Sequence, residues 1–158
     1  WKILEEYVDK GKIHSIGLSN FNPHHIDSLL SYARIRPVVN QIEIHPYMTQ
    51  QANVAFTFDK GIQVEAWGPL GQGTNGVMND PVIKEIAQRH HKSAAQVILR
   101  WHMQRRLVTI PRCDNESYTD ENLQIFDFTL SSEEMEKING LNKNERTYEK
   151  NDPDNFPW

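Results

Sequence analysis

A single cysteine, Cys113, stands among 158 residues, so the chain cannot close an internal disulfide and the expected setting is a reducing one. In that setting the Asn115-Glu116-Ser117 sequon is incidental. Positive charge is also short: 17 Lys and Arg face 21 Asp and Glu, for a formal net charge of −4. A field of that sign argues against nucleic acid or an anionic membrane as the main partner. Long apolar runs are missing, as is a basic segment leading into an apolar stretch. Neither a membrane anchor nor a secretion signal is therefore expected, and the expected location is cytoplasmic. The chain does not start with methionine; Trp1 leads at once into a helical pattern with Ile3, Leu4, Tyr7 and Val8 on one face. On this reading it begins inside a larger fold.

Several local signatures are absent too. The one Gly-x-Gly-x-x-Gly spacing, Gly71-Gln72-Gly73-Thr74-Asn75-Gly76, neither follows a strand pattern directly nor opens a helix, since Asp80-Pro81 caps the next one, so a Rossmann site is not expected. Gly17-Leu18-Ser19-Asn20-Phe21 lacks the second glycine of a nucleophile elbow, which discounts a serine hydrolase. His24-His25 and His90-His91 sit beside helix ends without metal-ligand spacing; they are read as surface residues, and no metal site is expected. Cys113 reads as a buried thiol sooner than a nucleophile.

What is present is enough apolar content for a core, 38% of residues, in a regular alternation. A helix from Trp1 stops at Asp9-Lys10-Gly11, and a strand over 13–19 follows. Asn22-Pro23 caps a helix to about Ala33, and the second strand runs over 38–45. A helix from about Thr49 stops at Asp59-Lys60-Gly61, ahead of the third strand over 62–67. After the glycine-rich stretch 68–76, Asp80-Pro81 caps a helix to about His90 and another covers 93–105. The fourth strand is 108–111. Two helices follow, from about Asn115 and from Ser131, where Ser131 and Glu134 form a capping box. The tail 142–158, ending Phe156-Pro157-Trp158, is expected to be an irregular covering loop.

This order predicts an α/β fold of parallel strands with right-handed crossovers, either an open doubly wound sheet or a (β/α)8 barrel. The strand faces decide between them. In the second strand Val38, Ile42 and Ile44 oppose Gln41, Glu43 and His45; in the third, Ile62, Val64 and Ala66 oppose Gln63, Glu65 and Trp67. A sheet covered on both sides is apolar on both faces, whereas barrel strands carry polar groups inward near the active-site end, so the barrel is favoured. Four strands make half of one.

In a barrel the loops after the strands build the site. They hold Ser19 and Asn20, Gln41 to His45, Trp67 to Gly73, and Arg112-Cys113. Ser19 and Asn20 read equally as caps, and Trp67 as core. Glu43 and Glu65 could pair as glycosidase carboxylates; an interior hydrogen-bonded role is the stronger reading, because nothing in the spacing fixes their separation. Val108 to Asn122 reads as an anion site: a short strand breaks at Pro111 and opens into a helix start, with Asp114, Asn115 and Ser117 as caps and Arg112 beside the first-turn N–H groups. A hydroxyl, two amides, an aromatic strand end with glycines and that arginine together suit a dinucleotide.

Ser15-Ile16-Gly17-Leu18-Ser19-Asn20-Phe21, Val39-Asn40-Gln41-Ile42-Glu43-Ile44-His45-Pro46-Tyr47, Ala66-Trp67-Gly68-Pro69-Leu70-Gly71 and Ile110-Pro111-Arg112, with Glu121-Asn122 beyond, resemble the aldo-keto reductase family in order and spacing. The resemblance covers nearly the whole chain. It implies a (β/α)8 TIM barrel that reduces aldehydes or ketones with NADPH, residues 1–158 forming the C-terminal portion of that one domain. Ser19, Asn20 and Gln41 match positions that hold the nicotinamide carboxamide, and Trp67 the aromatic stacked on the ring. Gly68, Pro69 and Leu70 match the loop over the pyrophosphate. Arg112 and Cys113 match a lysine and a serine or threonine at the adenosine 2′-phosphate; Glu121 and Asn122 match the pair near the adenine, with Ala95 beside it. Tyr118 stands where many members place a second arginine, so NADP is implied with NAD as an alternative. The catalytic Asp, Tyr, Lys and His of the family lie on earlier strands, so no catalytic residue is assigned in this chain, and His45 occupies a different position from the proton donor. The resemblance further implies a small carbonyl substrate, a monomeric full-length protein and an isolated chain prone to self-association. The competing reading is a non-catalytic, nucleotide-binding regulatory subunit.

Overall fold

Capping side chains set the helix starts in the computed structural model, which describes residues 1–156. Asn22 precedes α2 (Pro23–Leu30), with Pro23 in the first turn, and its N–H is accepted by His25 Nδ1 at 3.1 Å. Asp80 opens α4 (Pro81–His90) by accepting the Val82 N–H. Ser93 and Gln96 close a capping box on α5 (Ala94–Gln104), as Ser131 and Glu134 do on α7 (Ser132–Asn139). Each box satisfies two backbone donors that the first turn leaves without a helical acceptor. The repeated stop signal is seen as well: α1 (Lys2–Asp9) and α3 (Gln51–Asp59) are followed by Gly11 at φ +65° and Gly61 at φ +73°. α6 (Glu116–Leu123) completes the set.

The strands are β1 (Leu18–Ser19), β2 (Val39–Glu43), β3 (Gln63–Trp67) and β4 (Val108–Thr109), in the sheet order β1-β2-β3-β4. β1 and β2 pair in parallel, Leu18 opposite Asn40 and Ser19 opposite Gln41. Each crossover is a helix or a pair of helices, so the α/β expectation holds, and the unbroken sequential order is that of consecutive barrel units. β1 is shorter than the expected 13–19 because pairing starts only where the Ile16 carbonyl accepts the Val38 N–H at 2.9 Å. β4 ends early because Pro111 has no N–H to extend the ladder; its last bond is Ile110 N–H to Ala66 O at 3.2 Å.

Two compact units result: residues 1–42 with 50–65, and residues 43–49 with 66–158. In the first, Leu18, Ile26, Leu29 and Ile62 form the core, with Trp1, Phe21 and Phe56 packed against it. α1 departs from the sequence expectation. Ile3 and Tyr7, of the apolar face, are 69% and 49% exposed, and the buried residue is Glu5. Its Oε1 accepts the N–H groups of Arg34 and Ile35, both at 2.8 Å, while Trp1 Nε1 donates to Ile35 O at 2.9 Å. The helix is thus fastened by capping the chain after α2, an attachment that hydrophobic periodicity does not register.

In the second unit α4, α5 and α7 surround Ile83, Ile86, Val97, Ile98, Trp101 and Ile138, all fully buried. Trp101 Nε1 donates to Asn139 Oδ1 at 2.9 Å, so its one polar atom is satisfied. His90 is half-buried, with Nε2 3.0 Å from a Glu134 oxygen; the surface reading fails for it because that carboxylate, which also closes the α7 capping box, reaches it. Within this unit the tail 142–156 is irregular apart from a 3-10 turn at Glu149–Asn151. Pro157 and Trp158 lie outside the described residues. No helix among the described residues is long and apolar enough to cross a membrane.

His102 is a fully buried titratable group of this core. Its Nδ1 lies 2.8 Å from Ile98 O and its Nε2 3.0 Å from Ile44 O. Burial pushes its pKa down to about 4, against the raising effect of those carbonyls. In the unfolded chain it titrates near 6.5, so the unfolded state binds more protons between these values. Stability is therefore full above the upper pKa and falls as pH drops toward the lower one, by on the order of 3 kcal/mol. Denaturant titrations across that window are expected to show this slope, and His102→Gln to flatten it; identical slopes would contradict the assignment.

Candidate functional site

Beyond the ends of β3 and β4 the second unit holds a cavity of about 750 Å³. Trp67, Gly68, Pro69 and Leu70 form one wall, Ala95 lies at the start of α5, and Ile110, Pro111 and Arg112 leave β4. Tyr118, Glu121 and Asn122 contribute from α6, Gln72, Gly73 and Met78 from the glycine-rich loop, and Tyr148 from the tail. Eight of the sequence-derived cofactor positions thus come together here.

Local bonds hold this wall in place. Asn115 Oδ1 accepts the Ser117 N–H at 3.0 Å and starts α6. Gln96 Nε2 then donates to Glu121 O at 3.0 Å and Gln124 O at 3.2 Å, tying the end of α6 to α5 beside Ala95. Arg112 donates from Nε to Asp114 Oδ1 at 2.8 Å, which leaves its two terminal nitrogens for another acceptor. Cys113 does not line the cavity, and it is exposed where a buried thiol was expected. The reason is its place between Arg112 and the cap of α6, where the chain runs over the surface. Its sulfur accepts from Asn122 Nδ2 at 3.2 Å.

The loop has a strict glycine. Gly71 has φ +63°, and a Cβ there would lie 2.0 Å from Asn75 Oδ1. The Asn75 oxygen also accepts the Val77 N–H at 3.1 Å. Gln72 falls in the 67–73 stretch and Ile110 in the 108–122 stretch singled out from the sequence, whereas Met78 and Tyr148 of the lining and the neighbouring Asn75 were missed; only the Gly68-to-Gly76 run marks Asn75, and nothing marks Met78 or Tyr148.

In the first unit a second polar group forms around β1 and β2. Ser19 lies opposite Gln41, and the Asn20 N–H donates to Gln41 O at 2.8 Å. Gln41 Nε2 donates to Glu65 Oε1 at 2.5 Å, so its amide oxygen stays available as an acceptor. This is the interior role expected for Glu65. Asn40, fully buried, donates to Phe21 O at 2.9 Å and fixes the backbone just after Asn20. The three residues assigned to a carboxamide are therefore neighbours.

A buried polar cluster in the second unit was not read as one from the sequence. Glu43 and His45 are both inaccessible. Glu43 Oε1 accepts the Thr147 N–H at 2.7 Å and lies 3.4 Å from His45 Nε2. Burial pushes the Glu43 carboxyl up, but hydrogen bonds from His45 and Thr147 outweigh it and the net shift is downward. The same segment binds further partners: Tyr47 O accepts the N–H groups of Lys143 and Glu145, and the Tyr47 hydroxyl donates to Asp80 Oδ2 at 2.8 Å. Burial, with the Asp80 carboxylate beside it, pushes that phenol up to about 12.

Comparison with known proteins follows the same lines. The model of the Aldo/keto reductase family matches residues 1–143. Glyoxal reductase of Bacillus subtilis is 49% identical over 146 residues, covering 92% of this chain and 52% of the relative. The 9,11-endoperoxide prostaglandin H2 reductase of Trypanosoma cruzi is 43% identical over 157 residues, covering 99% of this chain and 55% of its own length. A Bombyx mori aldo-keto reductase solved in complex with NADP superposes with a TM-score of 0.88 at 37% identity, covering 98% of this chain and 53% of that one. The chain spans about half the length of the curated relatives it matches.

Gly71→Ala tests the cavity loop. It combines a left-handed backbone with the Asn75 clash, a strain of roughly 1–3 kcal/mol. The expected result is a melting temperature lowered by roughly 2–10 °C; an unchanged melting temperature would contradict the close fit of Asn75 over Gly71.

Proposed function

The chain belongs to the aldo/keto reductase family, and from that premise we propose that the complete protein reduces aldehydes or ketones to alcohols with NADPH. In this reading the chain is the C-terminal portion of a (β/α)8 barrel and supplies mainly the contacts to the nucleotide. The observation that carries it is the single cavity in which Trp67, Gly68, Arg112, Glu121 and Asn122 converge.

The residues fit that cofactor chemically. Trp67 offers a flat apolar face at a strand end, and Gly68, at φ +60°, lets the backbone approach a pyrophosphate closely. Arg112 offers a forked cation for the adenosine phosphate. The amide oxygen of Gln41, with Ser19 and Asn20 beside it, accepts from a carboxamide. When bound, the nicotinamide supplies the hydride. This chain binds and orients it, and His45, inaccessible and bonded within its own cluster, does not reach the substrate oxygen. The family's Tyr, Lys, Asp and His would come from the segment preceding these motifs. Loss of that Tyr and Lys in the complete protein would favour a nucleotide-binding regulatory subunit instead.

Arg112→Ala in the full-length protein is expected to weaken NADPH binding 10- to 100-fold, about 1.4–2.7 kcal/mol. NADH binding should change little; an equal loss for both nucleotides would remove the phosphate role. The purified 158-residue chain is expected to be inactive toward a simple aldehyde with NADPH, and turnover by it would overturn the division of labour.

A further inference from the structure

Two segments that wall the cavity are fastened to one buried pair. On the loop side, Asn75 Nδ2 lies 3.4 Å from both ring nitrogens of His45, and Asn75 fills the notch left by Gly71, just before Gln72 and Gly73 of the cavity wall. On the tail side, Thr147 reaches the same pair twice: its N–H donates to Glu43 at 2.7 Å and its hydroxyl lies 3.4 Å from His45 Nε2. The next residue, Tyr148, is itself a wall of the cavity. Glu43 and His45 have no solvent exposure and so touch nothing that enters the cavity. The pair instead holds the two flaps beside it.

We infer that Glu43 and His45 are positioning residues for cofactor retention, a latch that holds the glycine-rich loop through Asn75 and the tail through Thr147, so that the bound nucleotide leaves only when both are released. The inference rests on the proposed nucleotide site. Its physical basis is that one carboxylate and one imidazole serve both flaps, so loosening either removes support from the other. The Asn75 contact is shared between two nitrogens at long range and is the weaker half. The Thr147 N–H bond to an ionised carboxylate is the stronger. Opening is therefore expected to begin at the loop.

The test is the NADPH dissociation rate of the full-length protein, measured by stopped-flow displacement alongside thermal melting. Asn75→Ala, which removes the loop contact and keeps the buried pair, is expected to speed dissociation at least fivefold with little change in the melting temperature. Thr147→Val removes only the hydroxyl contact to His45 and keeps the N–H donated to Glu43, so it is expected to speed dissociation about twofold. Glu43→Gln, which takes the charge from the acceptor of that N–H, is expected to speed it at least fivefold, and Thr147→Ser to keep the wild-type rate. The double variant Asn75→Ala with Thr147→Val should be less than multiplicative, since each single change already opens the shared latch. Unchanged rates in the single variants, or fully multiplicative effects, would overturn the latch while leaving the nucleotide site in place. If Glu43→Gln fails to fold, the two flap variants decide alone. Failure of the wild-type protein to bind NADPH would overturn the cofactor reading and the latch with it.

Discussion

The structure turns on what happens where β2 ends. Up to Ile42 the strand belongs to the first unit and carries Gln41 in its ladder; from Glu43 the chain belongs to the second. Seven residues, 43–49, then collect partners from remote parts of the sequence. Glu43 takes the tail at Thr147, Ile44 O faces His102, Tyr47 takes Lys143, Glu145 and Asp80, and Thr49 takes Asn142 and Arg105. An irregular exit from a strand has backbone groups that no ladder satisfies. Here other segments satisfy them, and the tail gains a fixed path without secondary structure of its own.

Charge works locally here. The net charge is negative, and the cation nearest the cavity, Arg112, is already bonded through Nε to Asp114. Attraction for an anion therefore comes from the two remaining guanidinium nitrogens at short range. The Asp114 carboxylate opposes that attraction little, since its ion pair with Arg112 is largely exposed and solvent-screened. Glu43 shows the opposite regime: it is buried, and its ionised form is held by an N–H and an imidazole.

What was legible in the sequence was what depends on neighbours in sequence. Asp80-Pro81, Ser93 with Gln96, and Ser131 with Glu134 announce helix starts because each cap acts within three residues. The strand-to-helix reading of 108–122 located the cavity wall for the same reason, and family motifs identified Trp67, Arg112, Glu121 and Asn122. Long-range satisfaction was not legible. The outward face of α1 looks like a core stripe until Glu5 is seen to bind the chain at Arg34 and Ile35. His90 looks like a surface residue until Glu134 reaches it. Cys113 has the composition of a buried residue, but its exposure is decided by the path between Pro111 and the α6 cap. Tyr148 lies in a polar tail with no pattern, and bonds to the remote segment after β2, such as that from Thr147 to a residue 104 positions earlier, put it beside the cavity.

The fit of Asn75 into the space above Gly71 bears on how this loop can vary. A methyl group at 71 and an asparagine at 75 cannot occupy the same volume, so the two positions are not independent alphabets. A lineage that places a side chain at 71 must first shorten or turn away residue 75, and doing so gives up the oxygen that holds the Val77 N–H. Single substitutions meet a barrier that paired ones avoid. Diversity in this loop should therefore move in coordinated steps, with 71 and 75 changing together.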